Sequence, residues 1–118
     1  MPRSDIAWSG ARETVVASGA RTTSSDSGAL TGYGAAATLR AQLNVTAASG
    51  TVPTLDVVIE DSVDSGATWN TLGSFTQKVA AAREVINVTN PFGDVIRVGW
   101  TVGGTTPGFT FAVDVVSQ

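Results

Sequence analysis

The sequence predicts an all-β protein: an antiparallel two-sheet β-sandwich of seven or eight strands, jelly-roll-like or immunoglobulin-like in topology. First, apolar and polar residues alternate with a period of two over several stretches, which places one row of side chains on a core. Second, segments rich in Gly, Pro, Ser and Thr separate these stretches at short intervals. Third, no stretch has the periodicity of a long helix. With 118 residues, the chain forms one domain.

The chain begins with a predicted extended arm over residues 1–12, followed by the sandwich domain over residues 13–118. The arm is polar except for a short apolar segment that contains Ile6 and Trp8. Such a segment either packs back onto its own domain or inserts into a neighbouring subunit. Both readings of the arm stay open at the level of sequence.

The first half of the domain contains two predicted strands, and residues 29–34 between them are compatible with a short edge strand, the eighth of the count. Residues 13–23 place Val15 and Ala17 on one face, and a polar loop follows. Tyr33 lies between two glycines, which favours a packed loop anchor over an interface aromatic. Residues 36–48 alternate most clearly and end in a turn at 48–51. We expect the inward row of this strand to contain Ala37, Leu39, Ala41, Leu43, Val45 and Ala47.

The second half predicts two hairpins. Residues 53–60 and 69–77 form strands on either side of an acidic turn, and 84–89 form a strand that ends in a turn-rich segment. Residues 95–102 and 109–116 alternate strictly. They are joined by the Gly- and Thr-rich segment 103–108, which predicts that they pair with each other as a closing hairpin.

The acidic turn over residues 62–69 resembles the Asp-box, S-x-D-x-G-x-T-W. The defined positions are Ser62, Asp64, Gly66, Thr68 and Trp69. We expect the Asp64 carboxylate to accept hydrogen bonds from backbone N–H groups, Gly66 to adopt a positive φ, and Trp69 to close over the turn. In families that carry it, such as sialidases and other β-propellers, the box is a structural hairpin, so the resemblance implies a hairpin.

The composition argues against several functions. Only 14% of the residues are charged and the net charge is −3, without a Lys or Arg run, which argues against binding to nucleic acid. No apolar stretch approaches ~20 residues, so no transmembrane helix and no membrane partner are expected. The absence of cysteine and of an apolar leader fits assembly in a reducing cytosol. A weakly charged surface suits a protein that packs against neighbours.

From the types of side chain present, we expect no catalytic residues, no bound metal and no cofactor. Histidine is absent, which rules out histidine-dependent triads and zinc sites. Asp56 and Glu60 share a strand face but stand about 13 Å apart, too far for paired catalysis. Glu60, Asp61 and Asp64 could offer oxygen ligands to calcium, but the EF-hand pattern is not matched. We therefore expect a solvated acidic turn.

Carbohydrate binding is the alternative that the aromatic residues leave open. Trp8, Tyr33, Trp69 and Phe92 lie in predicted loops or at loop edges. Because Trp69 is needed by the turn, few rings remain for a sugar-stacking platform.

From residue 39 onward the pattern resembles small virion structural proteins of tailed bacteriophages. The segments that carry the resemblance are IEDSVDSGATWNTLGSF and VIRVGWTVGGTTPGFTFAVDV. The resemblance implies a capsid decoration or minor capsid protein on the outer surface of a virion, with the major capsid protein and copies of itself as partners. It implies a homo-oligomer, for example a trimer, with Ile6 and Trp8 of the arm as contact residues. A tail or neck component is a variant of this class.

Overall fold

The computed structural model describes residues 11–89 and 91–117, which form six β-strands. The strands are β1 (Ala11–Arg21), β2 (Ser25–Asp26), β3 (Thr38–Ser62), β4 (Asn70–Ser74), β5 (Ala82–Thr89) and β6 (Val95–Ser117). The protein is all-β and every strand pair is antiparallel. None of the described residues belongs to a helix long and apolar enough to cross a membrane.

The two longest strands, β3 and β6, form a ribbon from which the rest of the domain is built. They pair from Leu39 opposite Ser117 to Ser62 opposite Val95. At one end of the ribbon β1 pairs with β6 and β5 pairs with β3. At the other end β2 pairs with β6 and β4 pairs with β3. The ribbon therefore supplies the two central strands of a first sheet, β1-β6-β3-β5, and of a second sheet, β2-β6-β3-β4.

The ribbon bends between the two sheets at residues 49–54 and 103–108, where its register shifts. Gly50 and Gly104 have φ values of 104° and 112°, and Val52 and Thr106 have φ values of 48° and 47°. A Cβ atom on Gly50 would lie 2.6 Å from the carbonyl oxygen of Thr106. Glycine is thus required here both by its backbone conformation and by the close approach of the partner strand.

Both sheets contribute to one buried apolar cluster. Trp100 of the second sheet meets Phe111 of the first edge to face, with ring centroids 5.5 Å apart. Arg21 lies over both rings, 5.0 Å from the Trp100 centroid and 4.6 Å from the Phe111 centroid. Strands that pass from one sheet to the other through bends are a known way to build a two-layer core. The prediction of a two-sheet sandwich is confirmed.

The predicted closing hairpin of 95–102 and 109–116 is wrong. These residues form one continuous strand, β6, whose halves both pair with β3. The turn predicted at 48–51 is likewise a bend within β3. Because β3 and β6 each contribute one segment to each sheet, the six strands give eight strand segments, in agreement with the expected seven or eight.

Register shifts also explain three side chains whose faces were predicted incorrectly. Ala47 is exposed because the pairing of β3 with β6 shifts between Val45 and Ala47. In β1, shifts on both sides of Val16 place that residue in the core and leave Ala17 exposed, whereas Val15 is half-buried and packs against the core as expected. A bulge inserts one residue and reverses the faces that follow it.

Residues 1–10, including Ile6 and Trp8, lie outside the described residues, so most of the predicted arm has no structural description. The last two residues assigned to the arm, Ala11 and Arg12, belong to β1 and pair with Ser117 and Val116. Tyr33 is buried and its hydroxyl donates a hydrogen bond to Glu13, consistent with a loop anchor. Burial and this carboxylate both raise the pKa of Tyr33.

Candidate functional site

A polar surface is formed by the side of the first sheet that faces away from the core, here called the outer face. The strand register aligns its side chains in two rows across all four strands and in a third row across β6, β3 and β5. The rows are Arg12, Val116, Arg40 and Asn87; Thr14, Asp114, Gln42 and Val85; and Ala112, Asn44 and Arg83. None of these residues is buried, whereas their neighbours along each strand fill the core.

A shallow groove of about 380 Å³ follows the middle of the outer face. Its walls combine two guanidinium groups, a carboxylate, an amide and two valine side chains. The lining residues are Arg12, Arg40, Gln42, Val85, Asp114 and Val116. Such a mixture offers hydrogen bonds and charge around a small apolar floor, which is the usual composition of a recognition surface.

The charges of the groove are partly compensated within it. The Thr14 hydroxyl donates to Asp114 Oδ1 at 2.6 Å, and Arg12 Nη2 lies 3.2 Å from Asp114 Oδ2. The Thr14 hydrogen bond and the Arg12 guanidinium lower the pKa of Asp114, against an opposing effect of burial. Arg40 is exposed and has no ion pair with any described residue. The Arg40 guanidinium thus lies exposed in the groove without a counter-charge from the described residues.

The five residues of the acidic turn come together at the end of the β3–β4 hairpin, in the second sheet. Gly66 N donates to Ser62 Oγ at 2.7 Å, and Ser62 Oγ donates to Asp64 Oδ1 at 2.7 Å. The other Asp64 contacts come from Thr68, whose N lies 2.9 Å from Oδ1 and whose Oγ1 lies 2.6 Å from Oδ2. The hydrogen bonds from Thr68 and Ser62 lower the pKa of Asp64 to about 2.

Trp69 lies beside this turn and is held by Arg97 of β6. The Arg97 guanidinium stacks 4.3 Å from the Trp69 ring centroid, while its Nε donates to Glu60 at 2.7 Å. Asp26 of β2 lies 3.7 Å from Arg97 Nη1. One face of the indole is therefore covered by a cation that is itself fixed by a carboxylate. This geometry suits a structural turn, and the stabilising role of the turn remains a prediction.

The acidic residues considered for catalysis or calcium binding each have another partner. Asp56 accepts a hydrogen bond from Gln77 at 3.0 Å, Glu60 pairs with Arg97, and Asp61 accepts one from Gly93 N at 2.6 Å. Within residues 11–89 and 91–117, no group of three or more acidic side chains is placed to hold a metal ion.

The residues of the groove were not singled out by the sequence, although part of the signal was present. Alternation along 36–48 placed Arg40 and Gln42 on an outward face. It could not reveal that β1 and β5 flank the ribbon, so the neighbouring positions of Arg12 and Val85 became apparent only with the strand order. The local sequence determines which face of a sheet a side chain occupies. It does not determine which distant strands lie next to each other.

Comparisons with known proteins identify the fold. No protein-family model matches the sequence, and no curated protein is significantly similar to it. Among solved structures, the exported protein XepA of phage PBSX is similar with 13% identity and a TM-score of 0.65, over 92% of this chain and 37% of that one. The CBM36-1 domain of a multidomain xylanase from the hindgut metagenome of Trinervitermes trinervoides is similar with 14% identity and a TM-score of 0.54, over 93% and 98%.

A third similar structure is PirA, with 12% identity and a TM-score of 0.51, over 98% of each chain. The chain shares its β-sandwich fold with a phage protein and with a carbohydrate-binding module. It spans little more than a third of the length of XepA. At identities of 12–14% the likeness concerns the fold and does not extend to function.

Proposed function

We propose that this protein is a non-enzymatic structural component of a phage particle, a capsid decoration or minor capsid protein that binds the outer surface of the shell and stabilises it. The observation that carries the proposal is the outer face: four strands present three aligned rows of exposed or half-exposed side chains. A broad, open face of this kind suits contact with another broad surface.

The charge distribution supports the same function. The domain has few charges overall, and the outer face mixes both signs with valine side chains in its groove. Mixed polar and apolar faces of this type are common in interfaces between folded subunits. Arg40, which has no ion pair among the described residues, is the natural contact for a carboxylate on a capsid subunit.

Two further observations support the phage setting. The segments 59–75 and 95–115 resemble those of phage virion proteins, and the fold is similar to that of the phage PBSX protein XepA. In this proposal the protein resides on the virion surface, associates with copies of itself, and uses Ile6 and Trp8 of the arm as additional shell contacts. A tail or neck location is a variant of the proposal.

Co-sedimentation with empty shells of the phage that encodes the protein tests the proposal. The wild-type protein is expected to sediment with shells in a fixed stoichiometry. Arg40→Glu should weaken binding about tenfold or more, because it places an acid against a partner carboxylate. Val63→Glu is the matched control, since Val63 is 78% exposed at the tip of the acidic turn and outside the groove. A wild-type protein that stays in the supernatant would refute the proposal.

Trp8→Ala separates the arm from the outer face in the same assay. If the arm contributes to shell contact, the variant should lose binding while keeping the melting temperature of the domain. Unchanged shell binding by Trp8→Ala would remove the arm from the proposal and leave the outer face in place.

A second candidate function, glycan binding in the groove, is favoured by one specific observation. The groove combines amide, guanidinium and carboxylate groups with two valines in about 380 Å³, a volume within the range of small-ligand sites. The fold is also similar to that of the CBM36-1 domain of a xylanase. A glycan array would show a specific signal that Gln42→Ala abolishes. An array without signal would eliminate this candidate.

A further inference from the structure

The edge strand β5 is long and regular, and among the described residues β3 alone pairs with it. It pairs with β3 over eight consecutive residues, from Thr89 opposite Thr38 to Ala82 opposite Val45, without a register shift. In the part of the chain that the structure describes, no strand pairs with its other edge. The backbone N–H and C=O groups that point away from β3 are therefore available to another strand.

The other edges of the two sheets carry features that oppose strand addition. The pairing of β1 with β6 is interrupted by two register shifts, and β2 contains two residues. The five residues of β4 pair with β3 across a further shift. Bulges and short strands are the usual protection of a sheet edge. Strand β5 has neither, and it contains no Pro or Gly.

Inward-pointing charges are another form of edge protection, and β5 does contain Glu84. This carboxylate is paired with the Lys78 ammonium and accepts a hydrogen bond from Thr76 N at 2.9 Å. Its charge is thereby compensated inside the domain, so it does not repel an incoming strand. The exposed side of β5 carries Arg83, Val85 and Asn87.

We infer that β5 pairs antiparallel with β5 of a second copy, about a two-fold axis that passes through Val85. This register sets Val85 against its own copy, Arg83 against Asn87, and Glu84 against Ile86, so no like charges lie opposite each other. Moving the axis to Glu84 would oppose two carboxylates, and moving it to Arg83 would oppose two guanidinium groups. Moving the axis to Ile86 would place Val85 opposite the polar amide of Asn87.

The paired copies would form one continuous sheet of eight strands. The row Thr14, Asp114, Gln42 and Val85 would run on through Val85 of the second copy into the same row in reverse order. The two grooves would then lie on one face, doubling the surface offered to a shell. The inference adds to the proposed function the contact that joins two copies. It rests on the proposed function for the claim that the outer face binds a shell.

A cysteine scan tests the register directly, because the natural chain has no cysteine. Directly opposed residues of an antiparallel pair have the spacing that a disulfide requires. Oxidised Val85→Cys is expected to run as a covalent dimer on a non-reducing gel. Arg83→Cys, two residues away on the same strand, should run as a monomer on the same gel, since its copy would lie four residues out of register. Val63→Cys controls for random collision.

Solution mass provides the second measurement. The wild-type protein should have a mass of about 24 kDa, twice the 12.0 kDa of the chain, by light scattering. Val85→Lys should shift the mass to that of the monomer, because it opposes two ammonium groups. Val63→Lys on the turn, where the native side chain is 78% exposed against 36% for Val85, should leave the dimer intact.

Two outcomes would overturn the inference. One is a wild-type monomer at all concentrations, as expected if the chain's own arm covers β5. The other is a disulfide that forms equally with Arg83→Cys, Val63→Cys and Val85→Cys. Shell binding by a wild-type protein that is monomeric in solution would reject the β5 contact and retain the proposed function. A β5 dimer that does not bind shells would reject the proposed function and retain the contact.

Discussion

Lys78 and Glu84 form an ion pair between the segment that follows β4 and the start of β5, with the Lys78 side chain only 8% exposed. Lys78 Nζ also donates to Thr76 O at 2.9 Å and to Thr76 Oγ1 at 2.7 Å. Burial alone would raise the pKa of Glu84, but the hydrogen bonds from Lys78 and Thr76 hold that pKa below its ordinary value. The cluster ties the loop between the two sheets to β5.

Glu84→Gln is expected to lower the free energy of unfolding by about 2–3 kcal/mol, because it leaves a buried ammonium without its counter-charge. The loss is below that of a fully buried pair since the Glu84 side chain is 25% exposed. Chemical denaturation measures it. Asp56→Asn is the control, because Asp56 accepts an exposed hydrogen bond from Gln77. If Glu84→Gln and Asp56→Asn were equally stable, the pair would have no structural role.

The Asp64 carboxylate organises the turn between β3 and β4 through its contacts with Ser62 and Thr68. Asp64→Ala should lower the melting temperature by several degrees, because the Thr68 N–H group and the hydroxyl groups of Ser62 and Thr68 lose their acceptor. The control is Val63→Ala at the neighbouring position, whose side chain is 78% exposed. Equal melting temperatures for Asp64→Ala and the wild type would contradict the structural role of the turn.

Lowering the pH should reduce the stability of the domain, because the Asp64 carboxylate becomes protonated. The pKa of Asp64 in the folded protein is about 2, below the ordinary value of 3.8. A carboxyl with a lowered folded pKa stabilises the protein above its ordinary pKa, and this stabilisation is lost as the pH falls through the folded value. The melting temperature of the wild type should therefore fall between about pH 4 and pH 2.

Asp64→Asn isolates this contribution, because the amide does not titrate in that range. The difference in melting temperature between wild type and Asp64→Asn should narrow on acidification from pH 4 towards pH 2. Asp114 and Glu84, whose pKa values are also lowered, remain in both proteins and cancel in the comparison. A difference that stays constant over this range would exclude the Asp64 charge as the cause.

The turn and the core-facing rows could be predicted from the sequence because both are local properties. The positions of Ser62, Asp64 and Thr68 fix which atoms can meet within seven residues, and alternation along 39–45 fixes which side chains face the core. Tyr33 as a buried anchor follows from its flanking glycines in the same local way.

The groove and the long ribbon could not be predicted, because they depend on which distant strands lie side by side. A Gly- and Thr-rich segment such as 103–108 is compatible with a chain reversal and with a bend in a continuous strand. Gly104 and Thr106 adopt positive φ values in the bend, as they would in many turns. Only the pairing of both halves of β6 with β3 distinguishes the two.

The bend itself gives a final prediction, with a control that the chain supplies. Gly104 and Gly28 both have positive φ values, 112° and 78°. A Cβ at Gly104 would lie 2.6 Å from the carbonyl oxygen of Val52, whereas nothing lies within 4 Å of one at Gly28. Gly28→Ala should cost only the conformational penalty of about 1–2 kcal/mol. Gly104→Ala should cost about 1–3 kcal/mol more, because the two strands of the ribbon must separate. Urea denaturation of both variants measures the difference. Equal losses would mean that the bend tolerates a side chain, and that close approach of β3 and β6 does not determine where the sheet divides.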